Sequence, residues 1–296
     1  MKQVKSIAVC GGKLLQLKHA SEVLNCEMDV NVYLPKQYNT NSQGKKIPTI
    51  YYLSGLTCTP QNASEKAFWQ AQADKYGFAM VYPDTSPRGD DVAGDPEGSW
   101  DFGKGAGFYI NATKEPFQKH YHMFDYVHKE LPSELAKFFE EQGQSKIDFL
   151  DNVSITGHSM GGFGALSGYL LHYSDNKYKS CSAFAPIVNP SVVPWGQKAF
   201  KGYFNDPKEG EHYDPCNLVK QVKNTNNSSI LIHVGTNDPF LKEQLQPHLL
   251  KEAATGTTWE NKIDINLVDG FDHSYYFIST FVPEHAAFHA KHLGLA

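Results

Sequence analysis

Three residues far apart in the chain, Ser159, Asp238 and His273, have the types needed for nucleophilic acyl chemistry. Ser159 lies in Gly157-His158-Ser159-Met160-Gly161-Gly162, after a short apolar run at 153–156 and before a helix-forming run at 163–171. A serine between small residues at a strand-to-helix corner is a nucleophile elbow: the hydroxyl stands above the sheet, and the glycines give the sharp turn its room. There it can attack a carbonyl once a base takes its proton, and free amides at the helix N-terminus can hold the developing oxyanion.

Such a serine needs an imidazole held by an acid. The expected chain order is Ser, then Asp or Glu, then His, each at the carboxyl edge of a strand. Of the 13 histidines, only His273 follows the last expected strand within a turn, Asp269-Gly270-Phe271-Asp272-His273. His158 cannot reach back to its neighbour Ser159, and His285, His289 and His292 fall on a terminal helix and are expected to be solvated. The acid is expected at Asp238, in the turn after the run 229–234, where it would hold the imidazole tautomer and stabilise the imidazolium. Asp272 is its rival but cannot easily accept from the adjacent ring and suits a capping role; Asp269 is a second rival, closer to the strand end. The two oxyanion donors are expected at the Met160 amide, after the serine, and the Leu56 amide, in the turn Ser54-Gly55-Leu56-Thr57.

These groups must be positioned by strands that end side by side. The alternation in 27–34 reads as a half-buried strand, 35–46 as a polar connection, and the continuous apolar run 49–53 as a buried parallel strand. A helix is expected over 64–76 with Ser64 as its cap, and a strand over 78–82. Residues 84–109 lack a period but carry Trp100, Phe102, Phe108 and Tyr109, as functional loops do. Helix resumes over 121–142, the elbow follows, and 181–185 is strand. A second irregular insert, 186–215, holds Trp195, Lys198, Lys201 and Tyr203. Strands at 229–234 and 262–268 flank a helix near 241–254, and 275–292 is a closing helix. Alternating strands and helices without repeats predict one α/β domain over 1–296, a mostly parallel sheet covered on both faces.

Composition narrows the functional classes. A formal net charge of -5 without a block of like charge argues against nucleic-acid or anionic-membrane partners. Of 27 lysines and arginines only Arg88 is an arginine, so the chain has a single fork for bidentate contacts. Five scattered cysteines, none in a C-x-x-C pair, suggest neither disulfides nor a metal site, and point to a reducing compartment. No signal peptide, membrane span or targeting tripeptide is evident, so a cytoplasmic protein is expected.

Beyond the serine motif, several segments carry a resemblance. Leu53-Ser54-Gly55-Leu56-Thr57-Cys58-Thr59, Asp84-Thr85-Ser86-Pro87-Arg88-Gly89, Ser99-Trp100-Asp101-Phe102-Gly103-Lys104-Gly105-Ala106-Gly107-Phe108-Tyr109, Ser182-Ala183-Phe184-Ala185-Pro186-Ile187, Pro194-Trp195-Gly196 and Asp272-His273-Ser274-Tyr275-Tyr276-Phe277 join Gly157–Gly162 in resembling the S-formylglutathione hydrolase (esterase D) family. The resemblance runs from near residue 10 to the C-terminus. Asn237-Asp238-Pro239-Phe240 departs from it, since the family more often has two acidic residues and a Gln before the Phe. It implies an α/β-hydrolase fold, the triad Ser159–Asp238–His273, a homodimer, and hydrolysis of S-formylglutathione to glutathione and formate in formaldehyde detoxification, without a cofactor.

A formyl group asks for a tight acyl pocket, which Trp100, Phe102, Tyr109 and Trp195 could wall. Lys198 and Lys201 could meet the glutathione carboxylates. Cys58, two residues beyond Leu56, is a candidate regulatory thiol whose adduct would block the site. The alternative with the same triad is a general short-chain carboxylesterase or acyltransferase. A non-catalytic binding module fits less well, because all three triad candidates are present.

Overall fold

A computed structural model describes residues 1–41, 44–225 and 228–296. Nine strands form one sheet in the order β1-β2-β3-β5-β4-β6-β7-β8-β9. The strands are β1 Lys2–Val9, β2 Gly12–Ser21, β3 Cys26–Leu34, β4 Thr49–Leu53, β5 Ala79–Pro83, β6 Val153–His158, β7 Tyr178–Phe184, β8 Ile230–Gly235 and β9 Ile263–Val268. β1, β2 and β3 pair antiparallel with one another, and β3 pairs antiparallel with β5; from β5 to β9 every pairing is parallel. The chain leaves β4 towards β5 on one side and later returns to β6 on the other. This is the switch point outside whose carboxyl ends α/β sheets bind ligands. Leu53 at the end of β4 is in register with Gly157 near the end of β6, so the loop after β4 and the elbow after β6 are neighbours.

The expected strands are present, along with β1 and β2, whose lysine-rich alternation is too weak to read from sequence. Four other segments differ from expectation; one is the helix expected near 241–254, which is broken at Gln246 (φ +42°) and resumes as His248–Ala254. The helix expected over 64–76 is two, Pro60–Lys66 and Trp69–Tyr76, broken at Phe68 with φ +59°. Its cap is Thr59, which forms a capping box with Asn62 ahead of Pro60. Ser64 lies inside that helix, donating to the Pro60 carbonyl and accepting from Asn31. The insert 186–215 contains the helix Pro194–Tyr203, which buries Trp195, Ala199, Phe200 and Tyr203. The connection 35–46 includes a one-turn helix, Gln37–Thr40, and its residues 42 and 43 lie outside the described residues.

The C-terminal helix Tyr275–His292 is where expected, but His285 and His289 are fully buried rather than solvated. His233 Nδ1 on β8 meets His285 Nε2 at 3.0 Å, and His285 Nδ1 meets Ser182 Oγ on β7 at 2.8 Å. Ser182 Oγ also meets Thr156 Oγ1 on β6 and His289 Nε2, both at 2.8 Å. His289 Nδ1 meets Ser180 Oγ at 2.7 Å, and Ser180 Oγ meets Ser154 Oγ at 2.8 Å. The Glu284 carboxylate lies 3.4 Å from His233 Nε2. Burial holds His285 and His289 well below the usual imidazole pKa and thus neutral, so each has one ring nitrogen that donates and one that accepts, and the serine hydroxyls, able to do either, complement them. This chain ties the final helix to the strands that lead to Ser159 and Asp238.

Candidate active site

Ser159 takes φ +57° and ψ -118°, a conformation a non-glycine residue holds only when its surroundings enforce it. Its amide donates to the Phe184 carbonyl at the end of β7 (2.9 Å), and its carbonyl accepts from Phe163 (3.0 Å) and Ile187 (3.3 Å). Gly161 leaves room for the turn: a Cβ there would lie 1.9 Å from the Leu53 carbonyl oxygen. The helix Met160–Leu171 starts directly after the serine, so the Met160 amide is a first-turn donor without an intrahelical acceptor.

Asp238 follows β8 and is buried. Its Oδ1 accepts from the Phe240 amide (2.8 Å), and its Oδ2 meets His273 Nδ1 at 2.5 Å. The two rivals are engaged elsewhere: Asp272 accepts from the amide and hydroxyl of Ser274 at the start of the last helix, and Asp269 accepts from Thr236. The His273 ring lies between Phe240, with centroids 5.0 Å apart and nearly perpendicular, and His158, with centroids 4.4 Å apart. His158 is buried, and neither ring nitrogen has a hydrogen-bond partner among the described residues. Burial, reinforced by the neighbouring His273, holds it well below the usual imidazole pKa and thus neutral.

Ser159, His158 and His273 line a cavity of about 210 Å³ with Gly55, Leu56, Cys58, Trp100, Trp195, Phe240 and Tyr275. The Leu56 amide donates to no acceptor among the described residues, while its neighbours are tied down: Thr57 N–H donates to Gly105 O (2.8 Å) and Cys58 N–H to Gly55 O (3.3 Å). Thr57 takes φ +67°, a left-handed conformation that a β-branched residue rarely adopts. Strain of this kind costs about 1–3 kcal/mol and persists where the surroundings over-determine it.

The other expected contacts divide. Trp100 and Trp195 meet edge to face (5.6 Å) and line the cavity, with Trp100 half exposed at its mouth. Tyr109 does not line it: the side chain is buried and its hydroxyl donates to the Ser54 carbonyl at 2.8 Å, behind the loop that carries Leu56. Phe102 packs on Tyr203 and Phe117 in the core. Lys198 forms ion pairs with Asp101 and, at 3.9 Å, Asp95, so its charge is already matched. Cys58 lines the cavity with its sulfur 3.9 Å from the Tyr275 hydroxyl, and burial pushes its thiol pKa above the ordinary value. Phe240, Tyr275 and His158 were not expected as lining residues, although each stands within two positions of a candidate catalytic residue.

An elbow serine, an Asp-paired histidine and the unpaired Leu56 amide share one small cavity at the switch point of this sheet, as in serine esterases of the α/β-hydrolase fold. The Esterase family model ("Putative esterase") matches residues 21–288. The chain is 64% identical over its full length to the full-length S-formylglutathione hydrolase of Saccharomyces cerevisiae. It also superposes on an S-formylglutathione hydrolase from Agrobacterium tumefaciens with a TM-score of 0.89 at 40% identity, covering 99% of this chain and 100% of that one. A ferulic acid esterase at 17% identity, with a TM-score of 0.67 over 96% of this chain and 99% of that one, shares the fold. The chain belongs to the S-formylglutathione hydrolase family.

Proposed function

We propose that this protein hydrolyses S-formylglutathione to glutathione and formate, with Ser159 as nucleophile, His273 as general base and Asp238 as its orienting acid. The observation that carries the reading is the convergence of Ser159, the His273–Asp238 pair and the Leu56 amide on one cavity of about 210 Å³. Small-molecule pockets usually run to about 300–1,000 Å³, so this one suits a short acyl group and its thioester sulfur, with the peptide outside against the rim at Trp100.

Ser159 Oγ attacks the formyl carbon while His273 Nε2 takes its proton, and the Asp238 carboxylate on Nδ1 stabilises the imidazolium. The Leu56 and Met160 amides hold the oxyanion. The carbon–sulfur bond then breaks, and the departing glutathione sulfur takes the proton from His273, which returns the imidazole to its neutral form. Water attacks the formyl ester with His273 again as base, and formate departs as Ser159 recovers its proton. The expected ammonium contact at Lys198 is not part of this proposal, because Asp101 and Asp95 already neutralise it. Five free cysteines support a reducing, cytoplasmic setting for the same reading. A homodimer and a role in formaldehyde detoxification belong to the proposal on the family resemblance.

The test is formate release from S-formylglutathione by wild type and Ser159→Ala. Release by wild type and its loss in the variant are expected, with kcat down by about 10⁴-fold or more. Wild type that cleaves short aryl esters but not the thioester would make this a general short-chain esterase.

A further inference from the structure

The loop carrying Leu56 keeps a strained residue, Thr57, in place by contacts on both of its sides, one of them made by the only arginine in the chain. On one side of the strain, the Thr57 amide is fixed by the Gly105 carbonyl (2.8 Å). Gly105 approaches so closely that a Cβ on it would lie 3.2 Å from Thr57 Cα, and its own amide donates to Ser86 Oγ at 2.7 Å. On the other side, the Cys58 carbonyl accepts from Thr85 Oγ1 (2.6 Å) and from Arg88 Nη2 (3.0 Å). Arg88 is itself anchored, since its Nε donates to both oxygens of Asp84, at 2.8 and 3.1 Å. The Asp84 carboxylate is buried and also accepts from the Thr85 amide at 2.7 Å.

We propose that Arg88 is a positioning residue for the oxyanion hole, clamping the Cys58 carbonyl to Asp84 so that the Leu56 amide two residues earlier stays aimed into the cavity. This rests on the reading of Leu56 as an oxyanion donor. The ordinary fate of an exposed Arg–Asp pair four residues apart is a weak surface ion pair. Here the acid is buried and the guanidinium serves two acceptors at once. A lysine ammonium has no planar fork with which to keep both in one geometry. Without the clamp, Thr57 is free to relax towards an unstrained conformation, and the Leu56 amide turns with it.

The consequence falls on the chemical step. An amide aimed at the developing oxyanion acts mainly in the transition state, so its misalignment lowers kcat and leaves KM nearly unchanged. Arg88→Lys and Arg88→Ala are compared with wild type on both S-formylglutathione and a short aryl ester, with rates normalised to sites titrated to endpoint by a fluorophosphonate. Expected is at least a tenfold fall in kcat per titrated site on either substrate, with KM within about threefold. Millimolar methylguanidinium is expected to restore part of kcat in Arg88→Ala, because the Arg88 side chain is about a third exposed (36%). Thr85→Val removes the other donor to the Cys58 carbonyl and serves if the arginine variants do not fold; an intermediate fall in kcat is expected. Unchanged kcat per site in the variants, or a rise in KM alone, would overturn the proposal. The aryl ester keeps the test independent of the thioester assignment, because the oxyanion hole is needed for both substrates.

Discussion

Cys58 and Ser159 share a cavity, yet their surroundings give them opposite chemistry. Ser159 has a turn that presents it to the cavity and a histidine on the same wall; Cys58 has a phenol 3.9 Å from its sulfur and burial that keeps its proton on. The thiolate is the reactive form, so N-ethylmaleimide is expected to label Cys58 slowly at pH 7, about tenfold faster for each unit of pH until the thiol titrates. We expect the adduct to fill the cavity and stop turnover, and Cys58→Ser to stay active and resistant. Intact mass and rate measured on one sample decide this; labelled protein that still turns over would refute the blocking role. At this scale the sequence was informative where geometry follows from chain order. Ser159, Asp238 and His273 each follow a strand of the parallel sheet, which brings Ser159 and His273 to one cavity and Asp238 to His273. It was silent where a side chain's partner decides its role. Nothing in the sequence says that Lys198 faces Asp101 or that the Tyr109 hydroxyl is committed to the Ser54 carbonyl.

The C-terminal helix shows how an element can be read in extent and misread in orientation. Its bounds were legible from the helix-forming run, and Ser274 caps it through the Tyr276 amide. Ile278, Val282, His285 and His289 recur at the spacing of one helical face, and that face is buried. The period therefore marked these histidines as core, while their residue type suggested solvent. The helix Pro194–Tyr203 was hidden differently, since Pro194, Gly196 and Gly202 imitate loop composition although Pro at the first position starts helices well. Ser182 is where the final helix meets the sheet, because its hydroxyl serves Thr156, His285 and His289 together. Ser182→Ala leaves three buried groups short of a partner, each costing about 1–3 kcal/mol. A loss of about 3 kcal/mol or more in urea unfolding is expected; a loss under about 1 kcal/mol would mean that the helix docks by apolar packing alone.

Across the whole molecule, His128, His158, His285 and His289 are held well below the usual imidazole pKa, chiefly by burial, His289 to about 3. Depressed values in the folded state mean that the unfolded chain binds more protons below about pH 6.5. Stability is therefore complete above that pH and falls as the pH drops towards the folded-state values. Four such groups remove about 5 kcal/mol per pH unit, against a total stability of about 5–15 kcal/mol. Circular dichroism is expected to show acid unfolding with a midpoint near about pH 4.5; a fold intact at pH 3.5 would refute the account. The chain of hydrogen bonds from His233 to Ser154 gives this limit a particular character. Both nitrogens of His285 and of His289 are engaged in it, so an added proton finds no unpaired nitrogen on either ring while the helix stays docked. Detachment of this helix in acid would be reversed on neutralisation only at the speed of refolding, leaving hysteresis in the ellipticity recorded over a pH cycle.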